Sequence, residues 1–216
     1  MGNIEDMVIR GVYWLAVVLP CLTVHEFAHA YSAMKLGDPT AERQGRVTLN
    51  PIPHIDPIGT ILMPIFIHIG WAKPVPVNPH NFRNPRRDDI IVSAAGPGSN
   101  IALALAVGLA LRVVRIVAPG VMPMIAFEFF VSLTMLSLAL AFFNLIPLGP
   151  LDGHHIAENL LPYPYAQQYR RFNQYGMLVL LGLIFLPDML GLPNPLGVFI
   201  FSPAMFLAHL IIGLPF

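Results

Sequence analysis

The chain has 216 residues, of which 56% are hydrophobic and only 11% are charged, and its formal net charge is zero. Soluble domains carry about 25% charged residues, so the composition excludes an ordinary soluble protein and indicates an integral membrane protein. The zero net charge argues against nucleic acid as a partner, and the single cysteine, Cys21, excludes an internal disulfide. The length suits one domain of several helices, so we expect residues 1–216 to form a single membrane-embedded domain.

The first apolar run extends from Met7 to about Leu36. It is longer than the roughly 20 residues that a helix needs to cross a bilayer. The N-terminus before it is acidic and lacks the basic start of a signal peptide, so we expect the run to be retained as a membrane span.

This first run contains His25-Glu26-Phe27-Ala28-His29. On a helix, His25 and His29 lie on one face, a single turn apart. Two imidazoles at that spacing can hold one Zn²⁺, with Glu26 beside them to take a proton from a metal-bound water. A carboxylate inside a membrane span costs roughly 2.5–3.5 kcal/mol at mid-helix, so Glu26 indicates a functional site rather than packing.

A short apolar piece follows a polar loop, from Ile58 to Gly70. It is shorter than the roughly 17 residues of a spanning helix. The loops on both sides of it are basic, and a crossing would place one of them outside, against the positive-inside tendency. We therefore predict a re-entrant hairpin that returns to the same side. Residues 71–79 follow, where alternating prolines favour an extended segment and exclude a central strand.

Four further apolar runs occupy residues 90–118, 122–148, 177–186 and 196–214. With the first run they predict an all-α polytopic membrane protein of about five transmembrane helices plus the re-entrant hairpin or strand element. An orientation with the N-terminus outside places nine of the twelve basic residues in cytoplasmic loops. That orientation puts His29 and Asp152 at the same depth, towards the cytoplasmic ends of their helices.

Two imidazoles leave a catalytic zinc one protein ligand short, because such sites use three and keep a position for water. Asp152 is favoured by its depth and apolar surroundings, although it could instead cap a helix that starts near Gly153. Cys21 lies on the helical face of His25, but a small residue packed between helices explains it more simply. The other candidates are His54, His68 and the adjacent pair His154 and His155, whose rings we expect to point in different directions.

These stretches together resemble a known family. His25-Glu26-Phe27-Ala28-His29, combined with Asn144-Leu145-Ile146-Pro147 and Leu151-Asp152-Gly153, is similar to the motifs of the site-2 protease family of intramembrane zinc metalloproteases. Gly96-Pro97-Gly98-Ser99-Asn100 resembles a third motif of that family. The resemblance covers roughly residues 11–160.

The resemblance implies one zinc ion per chain, held by His25, His29 and Asp152, with Glu26 as the general base. It implies a polar role near the metal for Asn144, whose amide would donate a hydrogen bond to the developing oxyanion. Alternatively, Asn144 could hydrogen-bond to the backbone groups that Pro147 leaves without a partner. The implied substrate is a membrane-spanning protein that is cleaved near the cytoplasmic side. We expect the enzyme itself to be an integral, multi-pass protein of the plasma membrane.

The chain departs from the family pattern in two respects. His154-His155 stands where the family often has Gly or Ser followed by Arg, and no segment resembles a PDZ or CBS module. Two other functions remain open: a catalytically silent membrane-binding relative, and a metal or proton transporter. The intact motifs argue against the first, and the lack of paired halves with matching broken segments argues against the second.

Overall fold

All regular secondary structure that the computed structural model describes, in residues 4–63 and 70–214, is helical, and that part of the chain contains no β-strand. The α-helices are α1 (Ile4–Leu36), α2 (Thr40–Arg43), α3 (Pro85–Val117), α4 (Met124–Asn144), α5 (Asp152–Leu160), α6 (Tyr163–Asn173), α7 (Gly176–Met189) and α8 (Pro195–Ile212). Short 3₁₀ turns at Ile52–His54 and Pro79–Asn81 and a π-type helix at Pro57–Leu62 lie between α2 and α3.

Four of these helices are long and apolar enough to cross a membrane: α1 from Ile9 onwards, α3, α4 and α8. A fifth apolar stretch, Gly176–Pro187 in α7, is shorter. Large apolar side chains such as Phe199 face outwards, as in helices that contact lipid. The predicted all-α polytopic membrane fold is confirmed.

Helices α1 and α3 pack side by side in opposite directions. The imidazole Nδ1 of His29 lies 2.8 Å from the carbonyl oxygen of Val92, and the Ser99 hydroxyl donates to the carbonyl of Val24 at 3.3 Å. Advancing along α3 therefore means moving back along α1. The end of α1 and the start of α3 consequently lie at the same end of the bundle.

Small residues let the other helices approach α3 closely, as is common between membrane helices. A Cβ atom on Gly108 would lie 2.6 Å from the Cγ2 atom of Ile211 in α8, so only glycine fits there. Ala104 of α3, Leu138 of α4 and Ala208 of α8 are almost completely buried in one cluster. The bundle core thus lies between α3, α4 and α8, while α1 closes its side.

The segment between α1 and α3 begins and ends at neighbouring positions. The buried carboxylate of Asp38 accepts hydrogen bonds from the backbone N–H of Asn78 and the side-chain amide of Asn81, both at 2.7 Å. Gly37 has φ +109, and a Cβ there would lie 3.2 Å from the carbonyl oxygen of Asn81. The chain therefore returns to the point from which it left α1.

The predicted re-entrant piece shows the same return at its two described ends. The backbone N–H of Trp71 donates to the carbonyl of Gly59 at 3.1 Å, and the Thr60 hydroxyl donates to the carbonyl of Trp71 at 2.8 Å. Residues 64–69, which include Pro64 and His68, lie outside the residues that the structure describes. Ends that lie side by side are what a re-entrant hairpin requires, and re-entry itself stays a prediction.

We predict that the loop after α1 and the loop before α3 face the same side of the membrane. Single cysteines replacing Arg43 and Arg86, both exposed, should react with a membrane-impermeant maleimide from the same side of sealed vesicles. The parent for both variants is Cys21→Ala, which removes the native thiol. Labelling of the two positions from opposite sides would show that residues 58–70 cross the membrane.

Candidate metal centre

Three side chains from two helices meet at one point inside the bundle. His25 and His29 lie one turn apart on α1, and Asp152 is the first residue of α5. The Oδ2 atom of Asp152 lies 3.2 Å from Nε2 of His25 and 3.3 Å from Nε2 of His29, and the two Nε2 atoms are 3.0 Å apart. Within residues 4–63 and 70–214, no other group of three or more His, Cys, Asp or Glu side chains is arranged to hold a metal.

These separations match the coordination shell of zinc. Bonds of about 2.0–2.1 Å from nitrogen and oxygen in tetrahedral geometry place neighbouring ligand atoms about 3.3 Å apart. Three protein ligands leave the fourth position open, which is the arrangement of a catalytic site rather than a structural one. His25 and His29 are both buried. The donor set, its spacing and its burial therefore fit one zinc ion.

The start of α5 is built to present Asp152 to the imidazoles. A Cβ atom on Gly153 would lie 2.4 Å from the carbonyl oxygen of Leu145, so only glycine lets α5 start against the end of α4. Leu151 is the N-cap residue of α5, and no side chain among residues 4–63 and 70–214 caps this helix. The alternative capping role of Asp152 is therefore wrong, because its carboxylate points towards the imidazoles instead of its own helix.

The electrostatics of Asp152 agree with a ligand role. Burial would raise the pKa of this carboxyl, but its contacts with His25 and His29 outweigh burial and hold the pKa well below the usual range. The carboxylate is therefore ionised at neutral pH, as a metal ligand must be.

Asp89 of α3 holds the far end of α5. Its Oδ2 atom accepts a hydrogen bond of 2.6 Å from the side-chain amide of Asn159 and lies 3.4 Å from Nδ1 of His155. Hydrogen bonding to Asp89 raises the pKa of His155 above its ordinary value. Residues 152, 155 and 159 share one helical face, so this contact with α3 also fixes the rotation of α5 that brings Asp152 to the metal centre.

Helix α3 forms the wall behind both imidazoles. A Cβ atom on Gly96 would lie 2.3 Å from Nε2 of His29 and 2.7 Å from Cε1 of His25, so the site excludes any side chain at that position. One turn away, the Val92 carbonyl accepts a hydrogen bond from Nδ1 of His29. Because a carbonyl only accepts, Nδ1 carries the proton and Nε2 presents its lone pair to the metal position.

Glu26 lies next to the ligands and contacts the irregular segment 70–78. Its Oε2 atom accepts a hydrogen bond of 3.1 Å from the backbone N–H of Val75. The buried Arg46 side chain donates to the carbonyl of Lys73. The first bond holds Val75 against α1, and the second holds Lys73 against the loop that follows α2. The segment has no regular secondary structure, because its prolines lack N–H donors and the described residues offer no partner strand.

Asn144 lies at the end of α4, and its side-chain amide donates to the carbonyl of Leu140, 2.9 Å away on the same helix. The side-chain amide that we predict to donate to the oxyanion is therefore bonded within its own helix in this structure. Its catalytic role stays a prediction.

The other candidate ligands have different partners. The Cys21 thiol is fully buried, donates to the Val17 carbonyl and lies 3.3 Å from the Ser137 hydroxyl, so it packs between α1 and α4. Nε2 of His54 bonds to the Thr48 carbonyl at 2.9 Å, which places His54 in the loop after α2. His68 lies outside the described residues.

His154 and His155 differ from the expectation. Their ring centroids are only 3.9 Å apart, so the rings pack against each other instead of pointing in different directions. Nδ1 of His154 bonds to the Leu151 carbonyl at 3.0 Å. Burial and the neighbouring His155 lower the pKa of His154. Neither ring belongs to the metal centre.

Comparison with known proteins defines the class. The model of Peptidase family M50 matches residues 112–186. One curated relative is 44% identical over 180 residues, which is 81% of this chain and 81% of the relative. The chain therefore belongs to peptidase family M50, the site-2 protease family of zinc metalloproteases, and the resemblance of its motifs is confirmed.

That relative is "Putative zinc metalloprotease YwhC" of Bacillus subtilis (strain 168). Proteins with the same description and the name Rip2 also match. The protein of Mycolicibacterium smegmatis (strain ATCC 700084 / mc(2)155) is 31% identical over 82% of this chain and 69% of its own length. The protein of Mycobacterium tuberculosis (strain ATCC 25618 / H37Rv) is 29% identical over 88% and 73%. No solved structure matches the chain.

The contact of Gly96 with the imidazoles predicts a specific loss of metal. Gly96→Ala should lower zinc affinity by at least about tenfold, because the new methyl group displaces His29 and His25 from their common point. Gly98→Ala is the matched control, because a Cβ at Gly98 meets no atom of the described residues within 4 Å. Zinc content by elemental analysis and chelator competition measure the effect. Equal zinc affinity in the two variants would contradict the placement of the imidazoles against α3.

Proposed function

We propose that this protein is an intramembrane zinc metalloprotease that hydrolyses peptide bonds of membrane-spanning proteins near the cytoplasmic side of the plasma membrane. The observation that carries this proposal is the meeting of His25, His29 and Asp152 beside Glu26 in a bundle of membrane-spanning helices. Membership of family M50 supports it. We assign the activity to one domain formed by residues 1–216.

His25, His29 and Asp152 would hold one zinc ion per chain, which when bound would supply Lewis acidity to activate water and polarise a peptide carbonyl. The protein contributes a pre-formed ligand geometry. Val92 orients His29, Gly96 leaves room for both rings, and Asp152 supplies a negative charge that offsets part of the charge of the metal. The burial of the imidazoles excludes bulk water, which strengthens every electrostatic interaction in the site.

Glu26 is the general base in this proposal. It follows His25 directly in the sequence and is not part of the ligand group. Its bond to the Val75 N–H at 3.1 Å holds the carboxylate at one orientation. The carboxylate takes a proton from the attacking water and returns it to the leaving amine, as a positioned acid–base group does.

Substrate binding follows from the chemistry of membrane helices. The carbonyls of a transmembrane helix are hydrogen-bonded within the helix, so a substrate has to unwind locally before hydrolysis. Residues 73–77 lie beside Glu26, and Lys73 and Val75 are held there by their own backbone groups. We assign this segment to the binding of an unwound substrate through backbone hydrogen bonds.

Asn144 is assigned the oxyanion contact. Its amide would exchange the carbonyl of Leu140 for the developing oxyanion of the substrate. Removing a contact of this kind raises the barrier by about 2.7–4 kcal/mol in enzymes where it has been tested. The cytoplasmic location of the site rests on the nine basic residues that the predicted orientation places in the loops on that side.

Metal binding and catalysis should separate in two variants. Glu26→Gln should keep about one zinc ion per chain and lose cleavage, because Glu26 moves protons and is not a ligand. His25→Ala should lose most of the zinc and cleavage together. The control is His154→Ala, which should keep both, since this ring bonds to the Leu151 carbonyl.

The probe is a tagged single-span protein with a Gly-Pro pair near the cytoplasmic end of its span, incubated with the purified enzyme in detergent. Mass spectrometry of the products gives the cleavage site, and elemental analysis gives the zinc content. Wild-type cleavage by Glu26→Gln would overturn the general-base assignment. A zinc-loaded wild type that leaves the probe intact would favour the catalytically silent relative.

A further inference from the structure

The two imidazoles of the metal centre differ in how their second nitrogen is held. Nδ1 of His29 has the Val92 carbonyl at 2.8 Å. Nδ1 of His25 is buried and has no hydrogen-bond partner among residues 4–63 and 70–214. A metal-binding histidine normally donates this second N–H to an acceptor, which fixes the tautomer and the ring orientation. His25 therefore needs an acceptor close to Nδ1.

Asn100 of α3 has the complementary property. Its side chain is 0% exposed, and neither its amide nitrogen nor its amide oxygen has a partner in the part of the chain that the structure describes. Buried polar side chains are nearly always hydrogen-bonded, because an unpaired one is costly away from water. A leucine of similar volume would fill the same space without that cost, so packing does not explain an asparagine here.

The geometry of α3 places Asn100 next to His25. Asn100 lies one turn after Gly96 on the same helical face, and Gly96 is the residue that contacts both imidazoles. Ser99 donates to the Val24 carbonyl at 3.3 Å, so Asn100 lies about one residue before the level of Val24 on the antiparallel α1. Side chains tilt towards the N-terminus of their own helix, so the side chains of Asn100 and His25 tilt towards each other. The antiparallel packing thus places Val92 at the level of His29 and brings the side chain of Asn100 towards that of His25.

We infer that Asn100 is a positioning residue for His25. One buried water accepts the proton on Nδ1 of His25 and donates to the side-chain oxygen of Asn100, which directs the lone pair of Nε2 to the metal position. The amide oxygen accepts, the amide NH₂ offers two donors and the imidazole Nδ1–H offers a third, which are enough partners for a bridging water. This inference rests on the proposed metal site. Because Asn100 is completely buried, it orients a ligand and does not touch the substrate.

The test replaces Asn100 by one side chain that cannot accept a hydrogen bond and by another that can. Asn100→Leu keeps the volume and should lower zinc affinity about 10–100-fold, the usual effect of removing such a partner. Asn100→Asp keeps an acceptor oxygen and should restore most of the affinity. Thr134→Val is the control and should keep wild-type zinc affinity. Thr134 is also 0% exposed, but its hydroxyl bonds to the Phe130 carbonyl of its own helix.

Two readouts separate positioning from a purely structural role. The melting temperature of metal-free Asn100→Leu should stay at or above the wild-type value, because leucine buries no unpaired polar group. The visible absorption bands of the Co²⁺-substituted Asn100→Leu protein should shift, because the ring of His25 is no longer held. A lower melting temperature with unchanged zinc affinity and unchanged cobalt bands would overturn the inference.

The variants also distinguish this inference from the proposed function. Wild-type zinc affinity in Asn100→Leu, together with zinc loss in His25→Ala, refutes the role of Asn100 alone. Full zinc retention in His25→Ala refutes the metal site itself. If Asn100→Leu does not fold, Asn100→Asp decides: a carboxylate bridged by the water to Nδ1 of His25 makes the ring more basic and shifts the cobalt bands, and unchanged bands overturn the inference.

Discussion

The meeting of one carboxylate with two imidazoles inside a bundle of membrane helices is the constraint on which the rest of the structure depends. Asp152 lies 3.2 and 3.3 Å from the two Nε2 atoms, and such groups are costly in an apolar interior unless they are paired or bind a metal. The start of α5 has to reach α1, so Gly153 lets it pack against the end of α4, and Asp89 fixes its rotation on α3. The geometry of the candidate metal centre and the packing of α5 therefore depend on the same contacts.

Much of the fold and half of the site could be predicted from local patterns. Hydropathy places the apolar helices because each span satisfies its own backbone hydrogen bonds, whatever its neighbours are. The spacing of His25 and His29 places both rings on one face for the same local reason. Asp152 is distant in the sequence, and only its apolar surroundings and the resemblance to a family motif indicated that it joins them.

The remaining features depend on tertiary contacts that no local pattern encodes. The bond from Val75 to Glu26, the wall formed by Gly96 and the contact of Asp89 with α5 each join segments far apart in the chain. Two of them left a signal in the sequence: an acid, Asp89, near the start of a long apolar helix, and a glycine, Gly96, within a stretch of small residues. The packing of His154 against His155 left none, because neighbouring residues on a helix usually diverge.

X-ray absorption at the zinc edge of the purified wild-type protein tests the central claim most directly. The account predicts about one zinc ion per chain, with nitrogen and oxygen ligands at about 2.0–2.2 Å, two of them imidazoles, and no sulfur ligand. A sulfur shell at about 2.3 Å would instead make Cys21 a ligand. Either that result or a protein purified without stoichiometric zinc would contradict a metal centre built from His25, His29 and Asp152.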